Sequence, residues 1–388
     1  MIAELSIDLG ALRRNVARIG ALVAPARYSA VIKANGYGHG LVPVARALAP
    51  GVSGFCVYRA DEALAVRESG VSAPILVLGP VEPHELRALC GARVAIALWS
   101  DGAFLRDIAG AAVAARERCR VHAKIDTGVT RLGLDRDRAA AAVATYAADP
   151  LLDLRGVFTH LAAAEELESS FTLAQLERFS QSLAPLDAML AQRGVLRHAA
   201  ASAAAMLYPK LRLDFVRAGI ATYGIWPSEE TRAAMRSVLE LEPALTWTTQ
   251  LVVVRDVEAG RSVGYGCSFH TGRPSRIGVL PIGYAEGIPR AFSNSGVALA
   301  HGKRIPFVGR ICMNMSFVDV TDVPEARPGS RITLVGRDAD EAIDANAAAE
   351  AAGTIGYELV ARLPAEVPRR YLEAATAVEP APGMAGQV

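Results

Sequence analysis

The chain has 388 residues, 52% of them hydrophobic and 21% charged, with a formal net charge of +1; it is an ordinary globular composition, long enough for two domains. A charge so near zero argues against broad nucleic-acid or membrane-surface binding, and no charge-free stretch approaches the roughly 18 residues that a membrane span needs. Cys56, Cys90, Cys119, Cys267 and Cys312 are odd in number, scattered and free of any CxxC pair, so they point to neither a zinc site nor a redox motif and read as reduced residues of a cytoplasmic protein; Glu4, Asp8, Arg13 and Arg14 set the amino terminus apart from a signal peptide.

Taken in chain order, short apolar runs alternate with amphipathic stretches, the pattern of βα units around a parallel sheet. A helix is predicted over 9–23, followed by a strand over 28–33, a helix over 41–49, a strand over 54–57 and a helix over 60–68. Strands follow at 74–78, 93–98, 120–126 and 155–160, then one long helix over 172–192, then strands at 197–201 and 214–217. Eight strands with outer helices predict an α/β chain that begins with a (β/α)8 barrel, over 9–230. From 245 onward the chain turns to Val, Thr and Ile with turn glycines, as in "LTWTTQLVVVRDV" and "KRIPFVGRICMNMSFVDVTDV". A second, mostly β domain is therefore expected over 237–372, joined by a strand from 2–8 and closed by one helix near 347–352. The Pro, Ala and Gly-rich stretch 373–388 reads as a loose tail.

Barrel enzymes carry their reactive groups at the carboxyl ends of the strands. Five of the eight predicted strands end on or lead to such a group: Lys33; Lys124 with Asp126; His160; Ser202; Arg217. One lysine or histidine in such a place is usually a paired structural group, but five on one rim point to a site. An amine in a partly dry pocket loses some of its proton affinity and becomes a nucleophile toward a carbonyl, so Lys33 suits a Schiff base with an aldehyde cofactor. No Walker loop, HExxH, GxSxG or metal-ligand cluster competes for the role.

The motifs "AVIKANGYGHG", "KIDTGVTRLG", "FTHLA", "DFVRAGIATYG", "VGYGCSF" and "GRICMNM" occur in an order that resembles the pyridoxal phosphate-dependent alanine racemases nearly end to end. The resemblance implies that Lys33 carries pyridoxal 5'-phosphate and that Tyr37, Ser202 and the backbone amides of Gly219 and Ile220 hold its phosphate, with Tyr357 beside the site rather than in it. Arg217 would face the pyridine nitrogen and, being unable to give up its proton, leave that nitrogen unprotonated and the ring a weaker electron sink. Racemisation needs acid/base groups on both faces of Cα, and the resemblance assigns these to Lys33 and to Tyr265, the latter reaching across from the partner of a homodimer. Arg131, His160 and Arg217 would assist the phenol of Tyr265 as cationic or polar groups; Arg131 and the Met313 amide would bind the substrate carboxylate. Lys124 would be either carboxylated by carbon dioxide or paired with Asp126, and Cys312 a wall residue.

The chain departs from the family's pattern at three places, Ala201, Asn314 and Ala365, which bear on the preference for alanine over serine. The activity implied is interconversion of L- and D-alanine, supplying D-alanine for peptidoglycan. The alternatives are a racemase of broader specificity, a non-catalytic pyridoxal phosphate-binding barrel, and a barrel decarboxylase. The β domain with Tyr265 counts against the carrier, and Arg217 in place of a carboxylate counts against the decarboxylase.

Overall fold

The computed structural model describes residues 3–99 and 102–373. It opens with β1 (Ala3–Asp8), whose residues alternate buried and half-buried, and a helix, Leu9–Val23, capped by the Asp8 carboxylate accepting the Ala11 N–H. Eight strands then follow with helices between them: β2 (Arg27–Val31), β3 (Gly54–Val57), β4 (Ile75–Val77), β5 (Ala95–Leu98), β6 (Cys119–Lys124), β7 (Leu152–Phe158), β8 (Leu196–His198) and β9 (Phe215–Ala218). They pair in parallel in the order β8-β7-β6-β5-β4-β3-β2-β9. The ring closes between β8 and β9, where the Asp214 N–H donates to the Arg197 carbonyl (3.0 Å) and the Arg217 N–H to the Ala200 carbonyl (2.9 Å). Short, nearly unbroken apolar runs suit such strands, because helices and barrel interior cover both faces.

The remaining strands are β10 (Leu245–Gln250), β11 (Val253–Val257), β12 (Ser262–Val263), β13 (Phe269–His270), β14 (Ser275–Leu280), β15 (Val297–Ala300), β16 (Lys303–Pro306), β17 (Ser316–Asp319), β18 (Arg331–Asp338), β19 (Glu341–Ile343) and β20 (Arg369–Leu372). One seven-stranded sheet runs β16-β15-β18-β10-β1-β20 with β19 on β18, so the amino-terminal strand lies between β10, antiparallel, and β20, parallel. A three-stranded sheet, β11-β14-β17, and the β12-β13 hairpin complete this part. Buried Asn15, on the first helix, ties the connection in place: its amide donates to the carbonyls of Thr222 and Glu242 and accepts the Glu242 N–H.

Several local expectations need correction. The helix expected over 172–192 is three pieces, Ser170–Leu183, a 3-10 turn Ala184–Leu186 and Asp187–Gln192, because Pro185 offers no N–H to continue the ladder. One closing helix near 347–352 becomes two, Ala345–Ala351 and Gly356–Ala361. Cys90 and Cys119 are not reduced but form a disulfide; the helix Leu86–Gly91 ends against the start of β6 and brings their Cα atoms to 5.0 Å, within bridging range. Cys56, Cys267 and Cys312 are free. Of the stretch 373–388 only Glu373 is described, and it pairs with Arg13 at 3.5 Å; the rest of the expected tail lies outside the described residues.

Candidate active site

A cavity of about 1270 Å³ opens at the carboxyl ends of the barrel strands. Lys33, Tyr37, Lys124, Arg131, His160, Ser202, Arg217, Gly219 and Ile220 all line it, so these barrel residues singled out from the sequence come to one place, whereas Asp126 is not in the lining. Tyr265 and Met313 are not in its lining; they stand 73% and 58% exposed on the β part of the chain.

Several strands, β2, β6, β7 and β8 among them, stop short of where the sequence placed their ends, whereas β9 runs one residue past it. β2 ends at Val31, and Lys33 begins a tight turn, Lys33–Tyr37, in which Ala34, Asn35 and Gly36 all have φ between 54° and 61°. Left-handed backbone at a non-glycine residue costs of order 1 kcal/mol, and two side chains stabilise it here. Glu62 accepts the Ala34 N–H at 2.6 Å, and the Asn35 side chain accepts the Leu41 N–H at 2.9 Å. The turn aims the Lys33 amine into the cavity, where burial first and the charge of Arg131 second hold its pKa below the usual lysine value.

Arg217 lies inside β9 rather than at its end and is fully buried. It donates to the carbonyls of Thr159 and Ala199 (both 2.9 Å) and to His198 Nδ1 (2.5 Å), and its guanidinium lies 5.2 Å from the centre of the Phe158 ring. Burial lowers its pKa to about 10, so it stays cationic at neutral pH. His160, two residues past β7, is pushed down to about 3 by burial and then by the charges of Arg217, Arg131, Lys124 and Lys33. It is therefore a neutral member of the site, not a cationic one.

Lys124 ends β6 and is lowered to about 8, by burial first and then by Arg131 and Arg217. It forms no ion pair with Asp126 among the described residues. The Asp126 carboxylate is turned into its own loop, accepting the N–H groups of Gly128, Val129, Thr130 and Arg131. Burial alone would raise Asp126, yet these four donors hold it below the usual carboxylate value. The pairing of Lys124 with Asp126 is thus replaced by a loop clamp that carries Arg131.

The turn after β9 meets the helix Ser202–Leu207, and the Ser202 hydroxyl accepts the N–H groups of Gly219 (2.9 Å) and Ala221 (3.4 Å). A Cβ on Gly219 would lie 2.5 Å from the Tyr37 hydroxyl oxygen, so only glycine lets the phenol and this backbone close into a cradle. A hydroxyl, a phenol and backbone N–H groups suit a phosphate; a softened amine and a cation at the far end suit the aldehyde and ring of pyridoxal phosphate. The residues present fit that cofactor.

The sequence reading missed several supporting groups. Tyr357, set there beside the site, lines the cavity with its ring 6.4 Å from that of Tyr37, and its hydroxyl donates to Glu165, also in the lining. Gln175 is buried and donates to Thr127 and to the His160 carbonyl while accepting the Ala162 N–H. Its position inside a helical pattern carries no signal of that role. Asn314 donates to Glu286 at 2.7 Å, so the amide at this departure has a partner that a carboxylate would repel.

Tyr265 sits in a turn, Tyr265–Cys267, after β12. Gly264 and Gly266 on either side have φ of 74° and 69°, which presents the phenol outward on a tight loop.

Sequence profiles described as "Alanine racemase, N-terminal domain" and "Alanine racemase, C-terminal domain" match residues 7–227 and 244–371. The chain is 40% identical over 366 residues to an alanine racemase of Symbiobacterium thermophilum, covering 94% of this chain and 96% of that one. Its fold is similar to a Clostridium difficile 630 alanine racemase (TM-score 0.89, 31% identity, 96% of both chains). It is likewise similar to the Bacillus anthracis alanine racemase with bound L-Ala-P (TM-score 0.87, 33% identity, 97% of both). Alanine racemases depend on pyridoxal phosphate, the cofactor for which the cavity is suited. The chain belongs to the alanine racemase family.

Proposed function

We propose that this protein interconverts L- and D-alanine with pyridoxal phosphate and supplies D-alanine for peptidoglycan. The observation that carries the reading is the convergence of Lys33, the Tyr37–Ser202–Gly219 cradle and Arg217 in one cavity of a chain from this family. When bound, pyridoxal phosphate acidifies the Cα–H bond of an amino acid joined to it. Tyr37, Ser202 and the amides of Gly219 and Ile220 would hold the phosphate, and Arg217, anchored by two carbonyls and His198, would face the pyridine nitrogen. Arg131 holds the substrate carboxylate from within the cavity, and the Met313 amide, which lies outside that lining, joins it from a second copy of the chain.

Lys33 moves the proton on one face of Cα, and burial with the charge of Arg131, by holding its pKa below the usual lysine value, favours its accepting a proton as well as donating one. Tyr265 of a second copy serves the opposite face, and the protein acts as a homodimer. The exposure of Tyr265, Met313, Met315 and Tyr284 on the β part of a single chain supports this. Lys124 has its pKa near 8 and therefore a substantial neutral fraction, suited to adding carbon dioxide with loss of one proton; the carbamate formed would place a negative charge beside Arg131. We place its action in the cytoplasm; no helix among the described residues is long and apolar enough to cross a membrane.

Incubation with pyridoxal phosphate and L-alanine in heavy water, followed by chiral separation with mass detection, tests the proposal. D-alanine carrying deuterium at Cα is expected. A protein that retains the cofactor yet exchanges no Cα proton would overturn it. Because Ala201 leaves a small wall residue in the cavity, L-serine is run beside alanine to rank the two substrates.

A further inference from the structure

The interior of a (β/α)8 barrel is ordinarily packed with layers of branched apolar side chains. Here the end opposite the active site is hollow, and arginines stand around an otherwise largely apolar lining. A cavity of about 320 Å³ opens at the amino ends of the strands, with Arg27, Arg93, Arg120 and Arg155 among its lining and His122 in its wall. The two-residue spacing of Arg120 and His122 on β6 sets both on the same inward face.

The charges at this mouth do not balance. Glu117 pairs with Arg93 at 2.7 Å and Asp153 with Arg155 at 2.8 Å. Arg27 has no side-chain partner among the described residues, and Arg120 donates only to the Arg93 carbonyl, at 3.3 Å. Two guanidinium groups therefore face the opening without a carboxylate.

A second observation comes from inside the barrel. His122 is 7% exposed, and its Nδ1 lies 2.9 Å from His198 Nε2, while His198 Nδ1 is bonded to Arg217. A guanidinium only donates, so His198 Nδ1 accepts and its proton sits on Nε2, which donates to His122 Nδ1. Burial keeps His122 neutral, its pKa pushed down to about 3, so its own proton lies on Nε2. That Nε2–H has no protein acceptor among the described residues, on a ring that forms part of the cavity wall. This donor is not sealed from solvent, so whatever accepts from it comes from the cavity. All donors in the chain Arg217, His198, His122 point the same way, away from the active site and toward this mouth.

We propose that the amino-terminal mouth of the barrel binds a small oxyanion, held by Arg27 and Arg120 with His122 Nε2–H as the innermost donor. The bound oxyanion is the acceptor that ends the hydrogen-bond chain begun at Arg217. Phosphate and carboxylate oxygens share the chemistry that this donor set recognises.

Titration of the cofactor-loaded protein, whose phosphate cradle is already filled, with inorganic phosphate at constant ionic strength tests the site. The readouts are long-range proton–nitrogen spectra of the histidine rings and calorimetry, with a parallel titration by malonate. One saturable site per chain is expected, moving the His122 Nε2 signal, and Arg27→Gln with Arg120→Gln should weaken it at least tenfold. Both substitutions are at the mouth, so unchanged His198 signals report an intact barrel. Response to malonate and not to phosphate assigns the site to carboxylates, and the reverse to phosphates. Absence of a saturable His122 shift with either anion, or a shift that survives the double substitution, overturns the proposal.

Discussion

Gly219→Ala isolates the closeness of the cradle from every other property of the site. Gly219 has φ of −109° and ψ of −97°, and pairing the substitution with Tyr37→Phe in a double variant, which shares the same backbone change, separates the contact from any effect of the backbone itself. The new methyl would lie 2.5 Å from the Tyr37 hydroxyl oxygen and 3.1 Å from the carbon bearing it. The phenol has little room to retreat, since Tyr37 is buried with the Tyr223 ring 5.0 Å away and the Tyr357 ring 6.4 Å away. Overpacking of this kind costs about 1–3 kcal/mol. Tyr37→Phe removes the 2.5 Å contact and leaves the 3.1 Å one, which a shift of a few tenths of an ångström relieves. Urea unfolding of the cofactor-free protein, with the m-value held as a check, should give Gly219→Ala a clearly lower midpoint and the double variant most of the loss restored. The coupling energy should be about 1–2 kcal/mol. A single variant as stable as the parent, or a double variant no better than the single, would refute the geometry of the cradle.

The native state holds His39, His122 and His160 neutral, with pKa values of about 4, 3 and 3, whereas the unfolded chain takes up protons near pH 6.5. Between pH 6.5 and about 4 the unfolded state thus binds more protons, and stability falls as pH drops, by up to about 1.4 kcal/mol per ring per pH unit; a urea midpoint flat from pH 7 to 5 would contradict this. Tyr265→Phe should slow loss of the Cα proton from L-alanine much more than from D-alanine in heavy water, and equal losses would argue against separate faces. Dilution followed by light scattering and rate should show activity falling with the dimer, whereas full turnover by a demonstrable monomer would sink the shared site. Thiol titration of the denatured, unreduced protein should find three free cysteines, the Cys90–Cys119 bridge accounting for the other two, and five would remove the bridge.

Local information and barrel geometry together made much of the active site legible. Lys33, Lys124, His160, Ser202 and Arg217 follow short apolar runs, and a parallel barrel brings the ends of such runs to one rim whatever their separation in sequence. The family's ordered motifs added Tyr37, Arg131, Gly219 and Ile220, which line the same cavity. Element ends were less legible, because where a strand stops depends on which neighbour still offers a carbonyl: β2 ends at Val31, and Glu62 shapes the turn that carries Lys33.

The alternation of elements, the break in texture near 245 and the reactive groups at the strand ends can all be read from the linear chain, because each depends on residues close together in it. The charge state of His160, the clamp of Asp126 on its own loop, the Cys90–Cys119 bridge and the hollow, arginine-lined mouth that ends in His122 emerge only once the chain is folded. Each of these is a matter of burial or contact between distant segments, and no local pattern encodes which groups barrel closure removes from water.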